Sequence, residues 1–345
     1  MKKLKVIQIG VSHEHASGKI QSLKMLPELF EIVGVVNDLK LCDSPRFITC
    51  IPPQFDGLPF LSLEEALNLS GVDAAIVEVP NLELIRYAEM CVKKGLPVHL
   101  DKTAGQNLSL YRDLLELCKA KHVPLQMGYM YRGNPALEFV KKLIVDNILG
   151  TVFDAHLDMN HGYGGDAYQE YLGNFRGGIM FNLGCHLIDF VIAAMGAPDK
   201  VTPFLKSTPD VGRMICNNAL AVLEYPCCCV QISACSRAPE YGVQLRRWRF
   251  TGTNGMLEVA PPERFDGKPV KVNLILKEAA GGYPAGKAVF EFAPQADRYV
   301  GQLKEFAAIV RGEMENPYTY QHDYLVHKTT LAAAGHIPYK KESIF

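Results

Sequence analysis

No apolar run in this chain of 345 residues approaches the ~20 residues a membrane-spanning helix needs, so a transmembrane role is excluded. Charge of one sign is missing too. A formal net charge of −1 leaves no electrostatic case for nucleic acid or an anionic membrane surface as partner. Met1 to Gly10 carries lysines but becomes a β-type run ending in glycine, without the apolar core and cleavage site of a secretory signal. A cytoplasmic location is the expectation. The 10 cysteines lack metal-ligand spacing. Three of them are consecutive, Cys227 to Cys229, and in a strand they would alternate between faces. They read as small apolar residues in a reducing compartment, without disulfides. His13 and His15 have no carboxylate or cysteine at a matching spacing, so no metal site is expected.

What is present is ample core. Hydrophobic residues make up 48% and charged residues 21%, the balance of a soluble globular protein, and the length predicts two domains. The first half alternates in period. Lys5–Ile9 is a buried-type strand closed by Gly10, a helix pattern follows from His15 to Leu29, and Glu31–Val36 is a second strand closed by Asn37-Asp38. The rhythm continues with helix 62–69, strand 74–79, helix 82–94, strand 97–100, helix 108–121 and strand 124–129. This predicts an α/β fold with an N-terminal doubly wound parallel sheet of the nucleotide-binding kind.

The turn after the first strand is an imperfect phosphate-binding fingerprint. Three glycines are wanted, for the turn, for close approach to a pyrophosphate and for helix–strand contact. Here the aligned positions are Gly10, Ser12 and His15, within GVSHEHASG. The Ser12 hydroxyl can donate to a phosphate, and the helix N-terminus still offers free amides. His13 and His15 flank that anion site, and His15 is bulky for its place. Asn37 stands where an acid normally takes ribose hydroxyls, with Asp38 one residue late; a polar turn explains the pair equally well. Asp101-Lys102 follows a strand of the parallel sheet, where ligands bind. A lysine there is placed to hold a substrate oxygen and pass a proton.

From Arg132 the pattern changes. Helix 135–146 and strand 151–159 lead to a polar, aromatic, glycine-rich loop, His161 to Arg176, containing Tyr163, Asp166 and Tyr168. Aromatics for stacking and acids for hydroxyls suit a sugar or polyol, and a surface loop is the plainer alternative. The stretch Gly177–Gly196 reads as one core-type helix entered through paired glycines, with Asn182, His186 and Asp189 spaced four and three apart on roughly one face. Taken by itself, that stripe is as readily structural as functional. Runs at 200–207, 219–225, 228–236, 244–251, 256–259 and 271–276 predict consecutive strands of a mostly antiparallel sheet. Alternation in one strand accounts for Arg246, Arg247 and Arg249 around Trp248. Segments 297–311 and 320–334 read as helices.

In order and spacing, these features resemble the Gfo/Idh/MocA family of nicotinamide-dependent oxidoreductases over nearly the whole chain. The resemblance rests on Gly10, on Val79-Pro80-Asn81, and on Asp101-Lys102-Thr103 where the family has Glu-Lys-Pro. It continues through Gly128-Tyr129-Met130-Tyr131-Arg132 with Asn134-Pro135, the Gly177–Asp189 block, and Thr251-Gly252-Thr253-Asn254-Gly255. It implies a Rossmann domain over 1–128, an α+β substrate and oligomerisation domain over 129–315, and a C-terminal helix and tail, 316–345, returning to the first domain. It implies NAD or NADP as cofactor, held by Gly10, Ser12, His13, His15, Asn37, Asp38, Pro80, Asn81, Asp101 and Lys102. It implies a catalytic lysine at Lys102 and a histidine at His186, with Asn182 where the family has an Asp. Asn182 can hydrogen-bond but cannot share a proton. Tyr131, Arg132, Tyr163, Asp166, Asn182 and His186 are the expected substrate contacts.

The implied reaction is hydride transfer between NAD(P) and a hydroxyl or carbonyl carbon of a sugar, inositol or related polyol. The partner is that small molecule, together with other copies of the chain in a homodimer or homotetramer through the sheet. Two alternatives stay open: a lyase or glycosidase that oxidises its sugar transiently with NAD, and a non-catalytic sensor. The altered glycine, ribose and Asp positions motivate the latter.

Overall fold

The structure, a computed structural model, describes residues 2–41, 50–162, 165–212, 214–239, 245–295 and 297–341. The chain divides into two compact units, Met1–Met130 with Asp297–Tyr324 and Tyr131–Ala296 with Leu325–Phe345. No described helix is long and apolar enough to cross a membrane.

In the first unit the elements run β1 (Leu4–Ile9), α1 (Glu14–Lys24), β2 (Phe30–Val36), β3 (Phe60–Leu61), α2 (Leu63–Asn68), β4 (Ala74–Val77), α3 (Leu84–Lys93), β5 (Val98–Leu100), α4 (Leu108–Lys121) and β6 (Leu125–Met127). All pairings are parallel, in the order β3-β2-β1-β4-β5-β6. This is the doubly wound order whose ligand crevice lies beyond the carboxyl end of β1, where the winding reverses. Strands β4, β5 and β6 are buried at every residue, as a sheet covered on both faces requires. Helix starts follow local chemistry: Ser62 and Glu65 form a reciprocal capping box on α2, and Asn107 caps α4. Helix α1 ends at Lys24, short of the expected Leu29, because Pro27 cannot continue it.

The segment that returns onto this unit is 297–324, which takes in the expected helix 297–311 and only the start of the expected 316–345. Its helix α8 (Val300–Val310) puts Leu303 and Phe306 into one core with Val6, Ala16, Ile20, Leu23 and Ile76. Truncating either large residue to Ala should cost about 3 kcal/mol, from lost burial plus the cavity left behind.

The second unit runs α5 (Pro135–Val145), β7 (Val152–Asn160), α6 (Gly165–Leu172), a π-helical turn (Met180–Gly184), α7 (Cys185–Met195) and seven strands. These are β8 (Lys200–Lys206), β9 (Asn218–Tyr225), β10 (Cys228–Cys235), β11 (Trp248–Gly252), β12 (Gly255–Val259), β13 (Val270–Leu276) and β14 (Gly286–Phe292). The sheet order is β14-β13-β12-β11-β7-β10-β9-β8, antiparallel except for β7 beside β10. Helix α9 (Tyr320–Ala333) begins in the first unit's segment and ends in the second's. Strict alternation of buried and exposed residues in β13 marks a sheet with one covered face. Cys228 is buried and Cys229 exposed, as opposite faces of a strand demand, and the described cysteines are free thiols.

Three expectations give way here. The loop 161–176 contains α6, because Tyr168, Tyr171 and Leu172 recur at helical spacing and bury together. The single helix over 177–196 begins as a π turn before α7. Arg246 is not part of an alternating strand: it is buried beside Glu263, with which it forms an ion pair. Strand β14 was missed; its residues are largely exposed, so no apolar alternation announces it.

Candidate active site

The first unit gathers its polar residues at the carboxyl ends of β1, β4 and β5. Gly10 closes β1 at φ +112°, and a Cβ there would lie 2.5 Å from the Glu78 carbonyl oxygen. Only glycine fits that crossing. The next two amides, Val11 N and Ser12 N, donate to Asp38 Oδ1 at 2.8 and 2.9 Å, and the Ser12 hydroxyl donates to Asp38 Oδ2 at 2.7 Å. Asp38 is buried, whereas Asn37 is exposed and its side chain only accepts from Leu39 N at 2.9 Å. The carboxylate expected one residue late is therefore the one on the turn, and Asn37 is a turn residue.

His13 caps α1, its Nδ1 accepting from His15 N at 3.3 Å. His15, in the third fingerprint place, turns its ring to Asp101, with Nδ1 3.0 Å from Oδ2. His13 Nδ1 lies 3.3 Å from the same Oδ2. Glu78, which ends the β4 segment, completes the group: one ligand atom from each of His13, His15, Glu78 and Asp101 lies within 4.8 Å of all the others. Burial pushes the His13 imidazole down to about 4, with His15 adding to the shift and Asp101 opposing it. Burial would raise the Asp101 carboxyl, but His15, His13 and Lys102 hold it below the usual carboxylate range. Burial and the neighbouring Asp101 push Glu78 well up.

Behind this group Lys19 is fully buried, 2.7 Å from His99 Nε2, 3.7 Å from Glu78 Oε1 and over the Tyr299 ring at 4.0 Å. Burial lowers its ammonium, with Glu78, Asp101 and Asp297 acting against that. Sequence reading missed Glu78 and Lys19. Each had a signal: Glu78 directly precedes Val79-Pro80-Asn81, and Lys19 lies one helical turn after His15.

Lys102 is buried after β5, its main chain fixed by Asn81, whose Nδ2 donates to the Lys102 carbonyl at 2.6 Å. The Lys102–Thr103 peptide is cis. Pro80 opens the turn ahead of α3, its carbonyl accepting from Glu83 N at 2.9 Å.

In the second unit Asn182, His186 and Asp189 are all buried. Gly177 and Gly178 enter the segment at positive φ, and a Cβ on Gly178 would meet the Ile215 carbonyl at 2.1 Å. Asn182 sits in the π turn, where Nδ2 donates to the Tyr171 hydroxyl at 3.1 Å. Asp189 accepts from Arg132 Nε at 3.1 Å in a buried ion pair. That binds Arg132 into the fold through charge-assisted hydrogen bonds. Tyr131 is likewise built in: its hydroxyl accepts from Arg246 at 3.2 Å, and its ring stands edge-on to Trp248 at 4.9 Å and to His186 at 5.9 Å. Asp166 is exposed in α6, paired with Arg237 at 2.9 Å. Tyr163 lies outside the described residues.

Residues 137–258 match the family described as GFO/IDH/MocA C-terminal domain. Among curated proteins the chain is 27% identical over 161 residues to the uncharacterized oxidoreductase YdgJ of Escherichia coli (strain K12), covering 46% of each. It is 24% identical over 168 residues to D-apiose dehydrogenase of Paraburkholderia graminis, covering 49% of this chain and 42% of that one. The match thus spans about half the length of these relatives or less. An oxidoreductase from Agrobacterium radiobacter, solved in complex with NAD+, L-tartaric acid and magnesium, shares the fold with a TM-score of 0.77 at 16% identity, over 97% of this chain and 96% of that one. Family match, oxidoreductase relatives and fold agree in their likeness to Gfo/Idh/MocA oxidoreductases, with the family's C-terminal domain matched over residues 137–258.

Proposed function

We propose that the protein is an NAD(P)-dependent oxidoreductase acting on a CH–OH or carbonyl carbon of a sugar, inositol or related polyol. The observation that carries this reading is Asp38 hydrogen-bonded to the Val11 and Ser12 amides beside Gly10, on the same sheet edge as buried Lys102. The donor set fits a dinucleotide. Gly10 leaves room for close approach, the first amides of α1 suit a pyrophosphate, and the Asp38 carboxylate, held by Ser12, suits ribose hydroxyls. When bound, the nicotinamide dinucleotide supplies hydride acceptance or donation. Lys102 holds the reacting oxygen and moves its proton, with Asn81 fixing the lysine's main chain. His186 shares the proton work, and Asn182 orients substrate or His186 by hydrogen bonding alone. The sugar-like substrate class draws on the D-apiose dehydrogenase relative.

The non-catalytic reading loses one of its motives, since Asp38 supplies the carboxylate that Asn37 lacks. Assembly as a homodimer or homotetramer through the second unit's sheet belongs to the same proposal, and sedimentation tests it. The deciding experiment is calorimetric titration with NAD and NADP, then a screen of sugars and polyols for nicotinamide absorbance change. Binding and turnover that Lys102→Ala removes support the reading. No dinucleotide binding by the folded protein overturns it.

A further inference from the structure

We propose that His13, His15, Glu78 and Asp101 form a binding site for one divalent transition-metal ion of the zinc or manganese kind. Two imidazoles and two carboxylates are a donor set such ions take. They come from the phosphate turn, the end of β4 and the residue after β5, so the parallel sheet, not sequence proximity, assembles them. Their ligand atoms already lie within 4.8 Å of one another. Around an ion with bonds of 2.0–2.2 Å, donors stand about 3–4 Å apart, so small side-chain rotations close the shell.

A second observation asks for a cation there. His13 Nδ1 and His15 Nδ1 lie 3.3 and 3.0 Å from the same buried Asp101 Oδ2, so two imidazoles converge on one carboxylate oxygen. Glu78 adds a third claim. Its side chain is fully buried and neither oxygen accepts a hydrogen bond among the described residues. Lys19 stands off at 3.7 Å and spends its short contact on His99. A dication would answer both buried carboxylates at one point, beyond what Lys19 supplies to Glu78 from 3.7 Å. The Asp38 group on the Val11 and Ser12 amides shares no residue with these four.

The test uses the full chain, stripped of metal and free of dinucleotide, so its outcome is separate from that of the cofactor proposal. Exposed thiols such as Cys50, Cys227 and Cys229 are alkylated first, because they bind zinc adventitiously. Zn2+ and Mn2+ are titrated by calorimetry, and bound Mn2+ is followed by loss of its free-ion resonance signal. One saturable site per chain is expected, weakened 100-fold or more by His15→Ala and by Glu78→Gln. His15 is partly exposed and Glu78→Gln is nearly isosteric, so both variants should stay folded by circular dichroism. Metal should raise the unfolding temperature of the wild type and not of either variant. No saturable site, or equal affinity in both variants, overturns the proposal.

Discussion

Each of the two units holds its candidate residues in its own way. In the second, Asn182, His186 and Asp189 lie within one continuous segment, and Asp189 is neutralised by Arg132 through a bidentate buried pair. In the first, Gly10, Ser12, His13, His15, Asp38, Glu78 and Asp101 come from separate connections, and two carboxylates crowd together with imidazoles and Lys19. A helix segment can pair its charge with a neighbour and become rigid. A sheet edge collects charge from several strands at once and leaves it partly uncompensated. Perturbed groups of that kind mark working sites more often than scaffolds.

The sharpest way to break this contrast is to remove, in each unit, the residue proposed to handle the proton. Lys102→Ala and His186→Ala should each lower turnover by roughly two to four orders of magnitude, the range of general acid–base catalysis. Measured kcat and kcat/KM should fall while circular dichroism stays unchanged. Near-normal rates for His186→Ala alone would make the second unit a scaffold and leave the chemistry to the first.

Acid distinguishes the units next. His13 is lowered to about 4 and His327, in the second unit's part of α9, to about 3, both chiefly by burial. His13 is lowered less, since Asp101 and Glu14 favour its charged form, whereas the further influence on His327 is the like charge of His336. A histidine whose folded value is depressed binds its proton in the unfolded chain first. Stability is therefore whole above pH ~6.5 and is lost as pH falls to about 4 for His13 and about 3 for His327, by roughly 3–5 kcal/mol each. Unfolding midpoints measured across that window should flatten at its acid end in His327→Gln. An unchanged slope would remove His327 from the account.

Breaking the compensated pair gives a third, smaller effect. Asp189→Asn leaves the buried Arg132 guanidinium without its counter-charge and should cost about 3 kcal/mol by denaturant titration. Replacing both residues by apolar ones of similar size should recover part of that loss, as expected when the pair fixes geometry more than it adds stability.

The same contrast decides what was legible from sequence. The parallel sheet was readable because β2 and β4 are largely apolar and the helices between strands carry caps and periodic faces. His186 and Asp189 were readable because one segment contains them. The π turn was not, since nothing in the residue types of Met180–Gly184 distinguishes it from α-helix. The grouping of His13 and His15 with Glu78 and Asp101 was invisible for a different reason. Sequence spacing reports neighbours along a helix or strand, while residues at the ends of parallel strands meet only after the sheet forms.

Asn37 and Asp38 show that limit at the scale of one residue, and they carry the smallest prediction. Counting from the last strand residue puts Asn37 in the acid's place, and that reading leaves NADP open. In the fold Asn37 turns outward to cap Leu39 N, and Asp38 swings back onto the amides of the first turn. On the proposed function, a carboxylate held there by three hydrogen bonds would accept from a ribose hydroxyl and repel a 2′-phosphate. Calorimetry should therefore show NAD bound about tenfold or more tighter than NADP, a difference of about 1.4 kcal/mol or more. Asp38→Asn should narrow that gap chiefly by strengthening NADP, while Asn37→Ala leaves both affinities within about twofold. If instead Asn37→Ala alters the preference and Asp38→Asn does not, the ribose contact belongs to the first residue after β2, and Asp38 serves only to hold the turn.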